Sequence, residues 1–225
     1  MFVGHYAPSF VAKRAAHEVP LWLLFVAGQA VDIAWAVLVL LGIEAVRIVP
    51  GITAASPLDL YYMPYTHSLG AALLWSAAGA GAYAGLSGRR PRARGAIAIG
   101  LVILSHWVLD LLVHRPDLPL FWGGPKVGFG LWNYPRLEFL LEAGLLLGAI
   151  TWYMRGTRPR TRAGRWALPA FGVALVILQA AHWLGPPPAS SRALAFSALL
   201  AYGLLAAAGG MVERTRSRGA APPHA

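Results

Sequence analysis

The chain of 225 residues contains no cysteine and is poor in charged side chains, especially acidic ones. Without cysteine it has neither disulfides nor thiolate metal ligands. Charged residues account for 12% of the sequence, about half of the ~25% that is usual in soluble domains, and three long stretches, 69–86, 166–191 and 193–212, contain none. Since a helix needs about 20 apolar residues to cross a bilayer core, this composition indicates an integral membrane protein.

Apolar segments recur along the chain and predict an all-α fold, a polytopic membrane bundle of about six transmembrane helices with a short N-terminal helix. The predicted spans are 20–43, 67–86, 96–114, 137–155, 166–184 and 193–212. The short helix is expected over 8–17, with Pro8 in its first turn. We expect residues 1–212 to form a single transmembrane domain, and 213–225 to form a basic cytoplasmic tail without ordered structure.

Positive charge is concentrated in alternate connections between the predicted spans. Fourteen of the 19 Lys and Arg residues lie in four segments: Lys13-Arg14, "SGRRPRARG", "RGTRPRTRAGR" and "ERTRSRG". These segments fall on one side if six spans alternate in direction, and the positive-inside rule places that side and both termini in the cytoplasm. Because topology accounts for the net charge of +10, we expect the lipid bilayer, and not nucleic acid, as the partner.

A polar stripe interrupts the third predicted span in "SHWVLDLLVHRPDLPL", residues 105–120. His106, Asp110 and His114 follow one another at intervals of four residues, and each interval displaces a side chain by only about 40° around a helix. Asp32 near the middle of the first span and His67 at the outer end of the second lie, like this stripe, between the midplane and the non-cytoplasmic interface. Such groups are costly to bury in a bilayer unless they are paired or bind a ligand.

Imidazole and carboxylate together are ligands for zinc, manganese and iron. We therefore predict a divalent metal site, with zinc favoured, whose ligands are His67, His106 and Asp110, with Asp32 and His114 as further ligands. About 12 Å of helix rise separates His106 from His114, so one ion uses Asp110 with one of the two histidines, or Asp110 bridges two ions as in two-metal hydrolases. A spare carboxylate, Glu142 or Asp59, is the candidate catalytic proton acceptor.

The order of these motifs resembles that of a known family. The matching residues, in chain order, are Gly4-His5, Asp32, Thr66-His67-Ser68, and Ser105-His106 with Asp110. They are similar to the LexA-regulated inner-membrane family of bacterial metal-dependent hydrolases, and "HRPDLPL" with "GGPKVGFGLWN" looks like one subgroup, whose members are called membrane proteins or permeases. The resemblance covers roughly residues 1–155 and implies a bacterial inner-membrane protein with His5 as a further metal ligand. His5 reaches the site only if the short N-terminal helix folds back into the bundle.

The favoured functional hypothesis is a membrane-embedded metal-dependent hydrolase. The order of His and Asp is also similar to that of zinc-dependent phospholipases C, so we expect the substrate to be a lipid or another phosphoester at the outer leaflet. The alternative is a transporter or permease in which the same stripe relays protons or cations. The sparse polar lining of the last two spans argues against transport, and a metal-stabilised scaffold without turnover is a third hypothesis.

Several other polar features receive structural interpretations. His182 and Glu138, the latter beside Arg136, are interpreted as interfacial groups, and Asp117 as the cap of a turn. The loop 115–135, rich in glycine and proline, has the length of a lid or a binding loop.

Overall fold

The structure, a computed structural model, describes residues 1–88 and 90–218. Its helices in this part of the chain are α1 (Ala7–Ala15), α2 (Leu21–Gly28), α3 (Ala30–Leu40), α4 (Leu69–Leu86), α5 (Arg92–Val113), α6 (Pro135–Arg155), α7 (Gly164–Leu184) and α8 (Ser191–Arg214). Short 3-10 helices span Val3–Tyr6 and Leu131–Asn133. The prediction of a mainly helical fold is thereby confirmed.

Five helices, α4 to α8, are long and apolar enough to cross a membrane. α2 and α3 make a sixth candidate span if they are taken together, but they are bent by 55° at the intervening Gln29. The predicted span 20–43 therefore corresponds to two short helices with a bend between them. Tertiary hydrogen bonds hold the break, because the Gly28 carbonyl lies 2.9 Å from Nδ1 of His106 and Gln29 donates to the Phe2 carbonyl over 3.3 Å.

The N-terminal segment folds back into the bundle, which is the condition stated above for His5 to reach the site. Phe10 of α1 is fully buried, and its ring lies 5.3 Å from that of Phe25 in α2. Lys13 donates to the carbonyls of His17 and Val19 over 2.8 and 2.7 Å, which closes the turn between the two helices. This hairpin places the 3-10 turn that precedes α1 in the interior of the bundle.

Short antiparallel strands join the helices and refine the all-α expectation. They pair as β1 (Ala45–Ile48) with β2 (Leu58–Tyr62), β3 (Leu118–Pro119) with β4 (Lys126–Val127), and β5 (Thr157–Pro159) with β6 (Arg216–Arg218). The pair β5–β6 brings two arginine-rich segments together at one end of the bundle, which we call the basic end. β1 to β4 lie in connections at the opposite end.

The expected unstructured tail needs correction at its start. Glu213 and Arg214 belong to α8, and the next residues form β6. The side chain of Arg216 donates to the Thr157 hydroxyl over 2.7 Å, so a partner strand orders this segment. The remainder of the predicted tail, 219–225, lies outside the described residues.

The loop 115–135 packs against the end of α5. The backbone N–H groups of Phe129 and Gly130 donate to the carbonyls of Leu111 and His114 over 2.8 and 2.6 Å. A Cβ at Gly128 would lie 2.2 Å from a backbone oxygen in this turn, so only glycine fits there. The loop therefore closes over the outer turn of α5, where the polar stripe ends.

Candidate metal centre

Histidines and aspartates from separate segments meet in the half of the bundle away from the basic end. His5 comes from the N-terminal 3-10 turn, Asp32 from α3, His67 from the residues before α4, and His106 and Asp110 from α5. Apart from partly buried Asp32, these side chains are all buried. The prediction that Asp32, His67, His106 and Asp110 converge is confirmed, and His5 joins them.

The ring of His106 is held at one nitrogen and directed towards two carboxylates at the other. Its Nδ1 lies 2.9 Å from the Gly28 carbonyl oxygen, which can only accept, so Nδ1 carries the hydrogen. Its Nε2 lies 3.2 Å from Oδ2 of Asp110 and 3.4 Å from Oδ1 of Asp32. In a neutral ring this Nε2 offers a lone pair, the form in which histidine binds metals.

His67 is oriented by a chain of hydrogen bonds that begins at Glu44. The Thr66 hydroxyl donates to Oε2 of Glu44 over 2.6 Å, so its oxygen accepts from Nδ1 of His67 over 2.8 Å. Nε2 of His67 then points to Oδ1 of Asp32 at 3.2 Å and to Oδ2 of Asp110 at 3.8 Å. Relays of this kind fix the tautomer of metal-binding histidines in other proteins.

His114, at the end of α5, is also held at Nδ1 and directed through Nε2 towards a carboxylate. Its Nδ1 lies 2.9 Å from Oδ1 of Asp117, and its Nε2 lies 3.7 Å from Oδ1 of Asp110. Asp117 also accepts from Nε of Arg115 over 3.1 Å. The interpretation of Asp117 as a simple turn cap is therefore incomplete, because its carboxylate orients an imidazole.

These contacts create a site that a cation would complete. Three imidazoles are held at Nδ1 and present Nε2 to carboxylates, and ionised carboxylates can only accept. Two overlapping groups, His5 with Asp32 and His106, and His67 with His106 and Asp110, place ligand atoms within 4.8 Å of one another. Buried His and Asp in this arrangement could hold a metal ion, and the donor set of nitrogen and carboxylate oxygen suits zinc, manganese or iron.

Asp110 lies between two sets of partners, so the question of one ion or two stays open. Its Oδ2 faces His67 and His106, whereas its Oδ1 lies 3.1 Å from Nε2 of His5 and faces His114. The amino group of Met1 also donates to Oδ1, over 3.0 Å. A single ion on the Oδ2 side fits these contacts, whereas a second ion bridged through Oδ1 would have to take the place of the Met1 amino group.

The two carboxylates predicted as proton acceptors are already engaged. Glu142 accepts from the backbone N–H groups of Phe2, at 2.9 Å, and Gly4, at 2.8 Å, and so anchors the segment that carries His5. Asp59 is paired with the guanidinium groups of Arg47 and Arg115. Neither arrangement tests a catalytic role, which stays a prediction for both.

A cavity of about 410 Å³ adjoins the cluster and extends between α7 and α8. Asp32, His67, Asp110 and His114 line its polar end. Glu138, Glu142, Gln179 and His182 line its wall. Glu138 is therefore not the predicted interfacial partner of Arg136, whereas His182 is exposed in the last turn of α7, in agreement with its interfacial interpretation. Glu138 is buried and accepts from Nε2 of Gln179 over 3.3 Å.

Sequence reasoning missed two polar groups of the cavity, Gln179 of α7 and Tyr202 of α8. The hydroxyl of Tyr202 donates to Oδ2 of Asp32 over 2.9 Å. Each is a hydrogen-bonding side chain in a strongly apolar helix. A single polar residue in such a segment indicates a buried polar partner, and this signal could have identified both residues. Glu44 gave no comparable signal, because it lies in a connection far from His67 in the chain.

Comparison with known proteins adds no relative. No model of a known protein family, no curated protein and no solved structure matches the chain. The resemblance to the inner-membrane hydrolase family therefore stays a prediction, and the function must be argued from the residues of the site.

Proposed function

We propose that this chain is a multi-pass protein of a bacterial inner membrane and that it hydrolyses a phosphoester at a metal centre in the outer half of the bundle. The observation that carries the proposal is the set of three imidazoles, His67, His106 and His114, each held at Nδ1 and aimed through Nε2 at Asp32 or Asp110. Polar groups that are buried at this depth and pre-oriented in this way indicate a functional site.

The exposed surface of the long helices supports membrane insertion. Large apolar side chains on these helices are more than half exposed: Leu73, Leu101, Leu140, Ile177, Phe196 and Leu200. A soluble protein rarely exposes so much apolar surface. The arginine-rich segments gather at the basic end, and the positive-inside rule then places this end, with β5 and β6, in the cytoplasm.

The proposed topology can be tested by labelling, because the chain has no cysteine of its own. Ala163→Cys and Ala189→Cys place single thiols at exposed positions near the two ends of α7. We expect a membrane-impermeant thiol reagent to label only Ala189→Cys from outside the cell, and Ala163→Cys only after permeabilisation. Labelling of both from the same side would contradict this topology.

The proposed chemistry divides roles among the residues of the chain. A divalent ion at the centre supplies Lewis-acid chemistry, since it lowers the pKa of water towards neutrality and offsets the charge of a phosphoester. His67, His106 and Asp110 would hold it, with Asp32, His5 and His114 as further ligands, and the two aspartates balance its charge. Glu142 positions His5 through the N-terminal backbone.

The proposed proton acceptor is the pair of Glu138 and Glu142, whose carboxyl groups are hydrogen-bonded to each other on the cavity wall, with the Gln179 amide donating to Glu138. In the hydrolysis, the oxygen of one water forms a bond to phosphorus and the bond between phosphorus and the leaving alcohol breaks. The pair accepts a proton from the water and returns it to the alcohol oxygen. General acid–base help of this kind is typically worth ~10²–10⁴-fold in rate.

The decisive experiment measures metal content together with hydrolysis of bis-p-nitrophenyl phosphate. We compare wild type, His106→Ala and the matched control His17→Ala, whose histidine lies at the basic end and contacts Arg94 and Arg218. We expect metal and turnover in wild type and control, and neither in His106→Ala. If metal-replete wild type contains no metal and hydrolyses nothing, the hydrolase proposal fails and the proton or cation relay becomes the better hypothesis.

The relay alternative has less support because a continuous polar path is lacking in the described part of the chain. Between the cluster and the basic end, the buried layer is formed mainly by apolar side chains, among them Phe10, Leu21, Phe25, Leu168 and Val102. A chain of Asp, Glu and His across the bundle is what a relay requires.

A further inference from the structure

We propose that the substrate is a phospholipid that enters sideways, with its phosphoester head group at the metal centre and an acyl chain in the gap between α7 and α8. This inference rests on the proposed hydrolase function and names its substrate class and route.

The lining of the cavity is polar at one end and mainly apolar at the other. Its polar end is formed by the cluster, whereas the part between α7 and α8 is lined by apolar and small side chains: Leu178, Ala181, Trp183, Leu194, Ala198 and Ala201. A molecule that satisfies both ends has an anionic ester at one end and a hydrocarbon at the other. Phospholipids have this chemistry, and a small soluble phosphoester would leave the apolar part unfilled.

Apart from Trp183, the apolar lining residues form one stripe on each helix. Leu178 and Ala181 of α7 are three residues apart, and Leu194, Ala198 and Ala201 of α8 follow at intervals of four and three. Residues at these intervals share one helix face. The two stripes therefore face each other across the cavity, and the alanines of α8 leave room that larger side chains would fill.

The gap lies at the periphery of the bundle. α8 packs mainly against α2 and α3, and α7 packs mainly against α6, so these two consecutive helices touch each other little. Next to the lining stripes, Ile177 of α7 and Phe196 and Leu200 of α8 are more than 60% exposed. In the proposed topology these side chains contact lipid, and the gap between them opens to the same lipid.

The volume of the cavity favours partial entry. About 410 Å³ is within the ~300–1,000 Å³ that is common for small-molecule sites, which suits a head group and the first part of a chain. The rest of the lipid can stay in the bilayer because the gap is open on its side. The substrate then need not leave the membrane to reach the centre.

The first test fills the gap without touching the cluster. We compare Ala198→Trp with Ala207→Trp, a matched control on the exposed face of the same helix, in metal-loaded protein in mixed micelles. We expect Ala198→Trp to reduce hydrolysis of a fluorescent phosphatidylglycerol at least tenfold more than it reduces hydrolysis of bis-p-nitrophenyl phosphate, while metal content stays unchanged. Ala207→Trp should change none of the three. Equal loss of both activities, or loss of neither, would overturn the lipid assignment.

The second test measures binding of the lipid independently of its hydrolysis. A phosphatidylglycerol with a diazirine in its acyl chain is photolysed with wild-type protein in vesicles, and the labelled peptides are mapped by mass spectrometry. We expect labelling of the two lining stripes, and we expect diacylglycerol with the same diazirine to label only the exposed outer faces. Labelling of the stripes by both lipids, or by neither, overturns the proposal.

The two tests separate this inference from the proposed function. If the stripes are labelled by the phospholipid alone and wild type hydrolyses neither ester, the lipid site stands and the hydrolase is wrong. If wild type hydrolyses the soluble ester and the stripes are not labelled, the hydrolase stands and the lipid site is wrong.

Discussion

The two halves of the bundle are built from the same helices but differ in what they bury. Towards the basic end, α5 contributes Ile99, Val102 and Ile103 to an apolar core. One turn further along, the same helix contributes His106 and Asp110 to the cluster. The apolar half can be explained by packing alone, whereas the polar half cannot.

This difference indicates where the function lies. Burying ionisable groups costs more free energy than burying apolar groups of similar size, even when they are paired. The polar half nevertheless concentrates imidazoles and carboxylates and surrounds them with orienting partners such as Glu44 and Asp117. Stability does not require this arrangement, and the proposed metal site would explain it.

The largest effect is expected from Asp110→Asn, because Asp110 faces all four histidines of the cluster. The amide has the same shape but lacks the negative charge and one ligand oxygen. We expect the affinity for zinc to fall by roughly three orders of magnitude or more, since loss of an orienting partner alone costs ~10–100-fold. Zinc titration against a chromogenic chelator measures this.

Glu142→Gln is the control for this variant, since it has the same change of charge on the cavity wall. Its amide oxygen still accepts from the N-terminal backbone, so zinc affinity should stay within about tenfold of wild type. If Asp110→Asn keeps wild-type affinity, the polar half is not a metal site and the comparison between the halves loses its functional meaning.

Phe10→Ala tests the apolar half. The side chain is fully buried between α1 and α2, and its removal leaves a cavity. We expect the free energy of unfolding to fall by about 3–5 kcal/mol, measured by denaturant unfolding in detergent micelles, while refolded protein binds zinc as before. Exposed Phe196 on α8 provides the control, and Phe196→Ala should cost less than about 1 kcal/mol. Equal losses would mean that the apolar half is not a packed core.

Much of this organisation could be predicted from the sequence, because the physical rule involved is local. Asp32, His106 and Asp110 lie inside apolar helical segments, where a polar group needs a partner. Their convergence follows from that need. Pro8 and the length of the segment before α2 predict the helix α1, but they leave open whether this helix returns into the bundle.

The remaining features depend on tertiary contacts that have no local signature. The bend at Gln29 is held by His106 and by the N-terminal backbone, which approach from elsewhere in the chain. Glu44 and Asp117 orient histidines from connections whose paths the hydrophobic pattern does not encode. Helical periodicity predicts which residues are buried, but it does not predict which carboxylate meets which ring.

Thr66→Val tests whether the orienting contacts of the polar half matter. The substitution keeps the shape of the side chain but removes the hydroxyl that links Glu44 to Nδ1 of His67. We expect zinc affinity to fall by ~10–100-fold. Thr151→Val on the exposed face of α6, where the hydroxyl donates only to the Leu147 carbonyl, should leave zinc affinity unchanged. An unchanged affinity in Thr66→Val would show that the tautomer of His67 does not depend on the relay.

The smallest effect is expected where the two halves meet, at Gly28. A Cβ there would lie 2.8 Å from the His5 carbonyl oxygen and 3.1 Å from the Ser9 hydroxyl. Gly28→Ala should therefore displace the N-terminal turn by a few tenths of an ångström and cost about 1–3 kcal/mol of stability. Because the Gly28 carbonyl also holds His106, we expect zinc affinity to fall a few-fold in the same variant, measured by the same titration.

The control for Gly28→Ala is Gly144→Ala on α6, where an added Cβ would have no neighbour within 4 Å. Alanine is the better helix former by about 1 kcal/mol, so this control should be neutral or slightly stabilising and should bind zinc normally. If Gly28→Ala behaves like Gly144→Ala in both measurements, the N-terminal turn is not pressed against α2, and His5 is not held in the cluster by this contact. If Gly28→Ala loses stability but keeps its zinc affinity, the N-terminal turn packs against α2, but the metal centre tolerates its displacement. His5 would then be the least important of the proposed ligands.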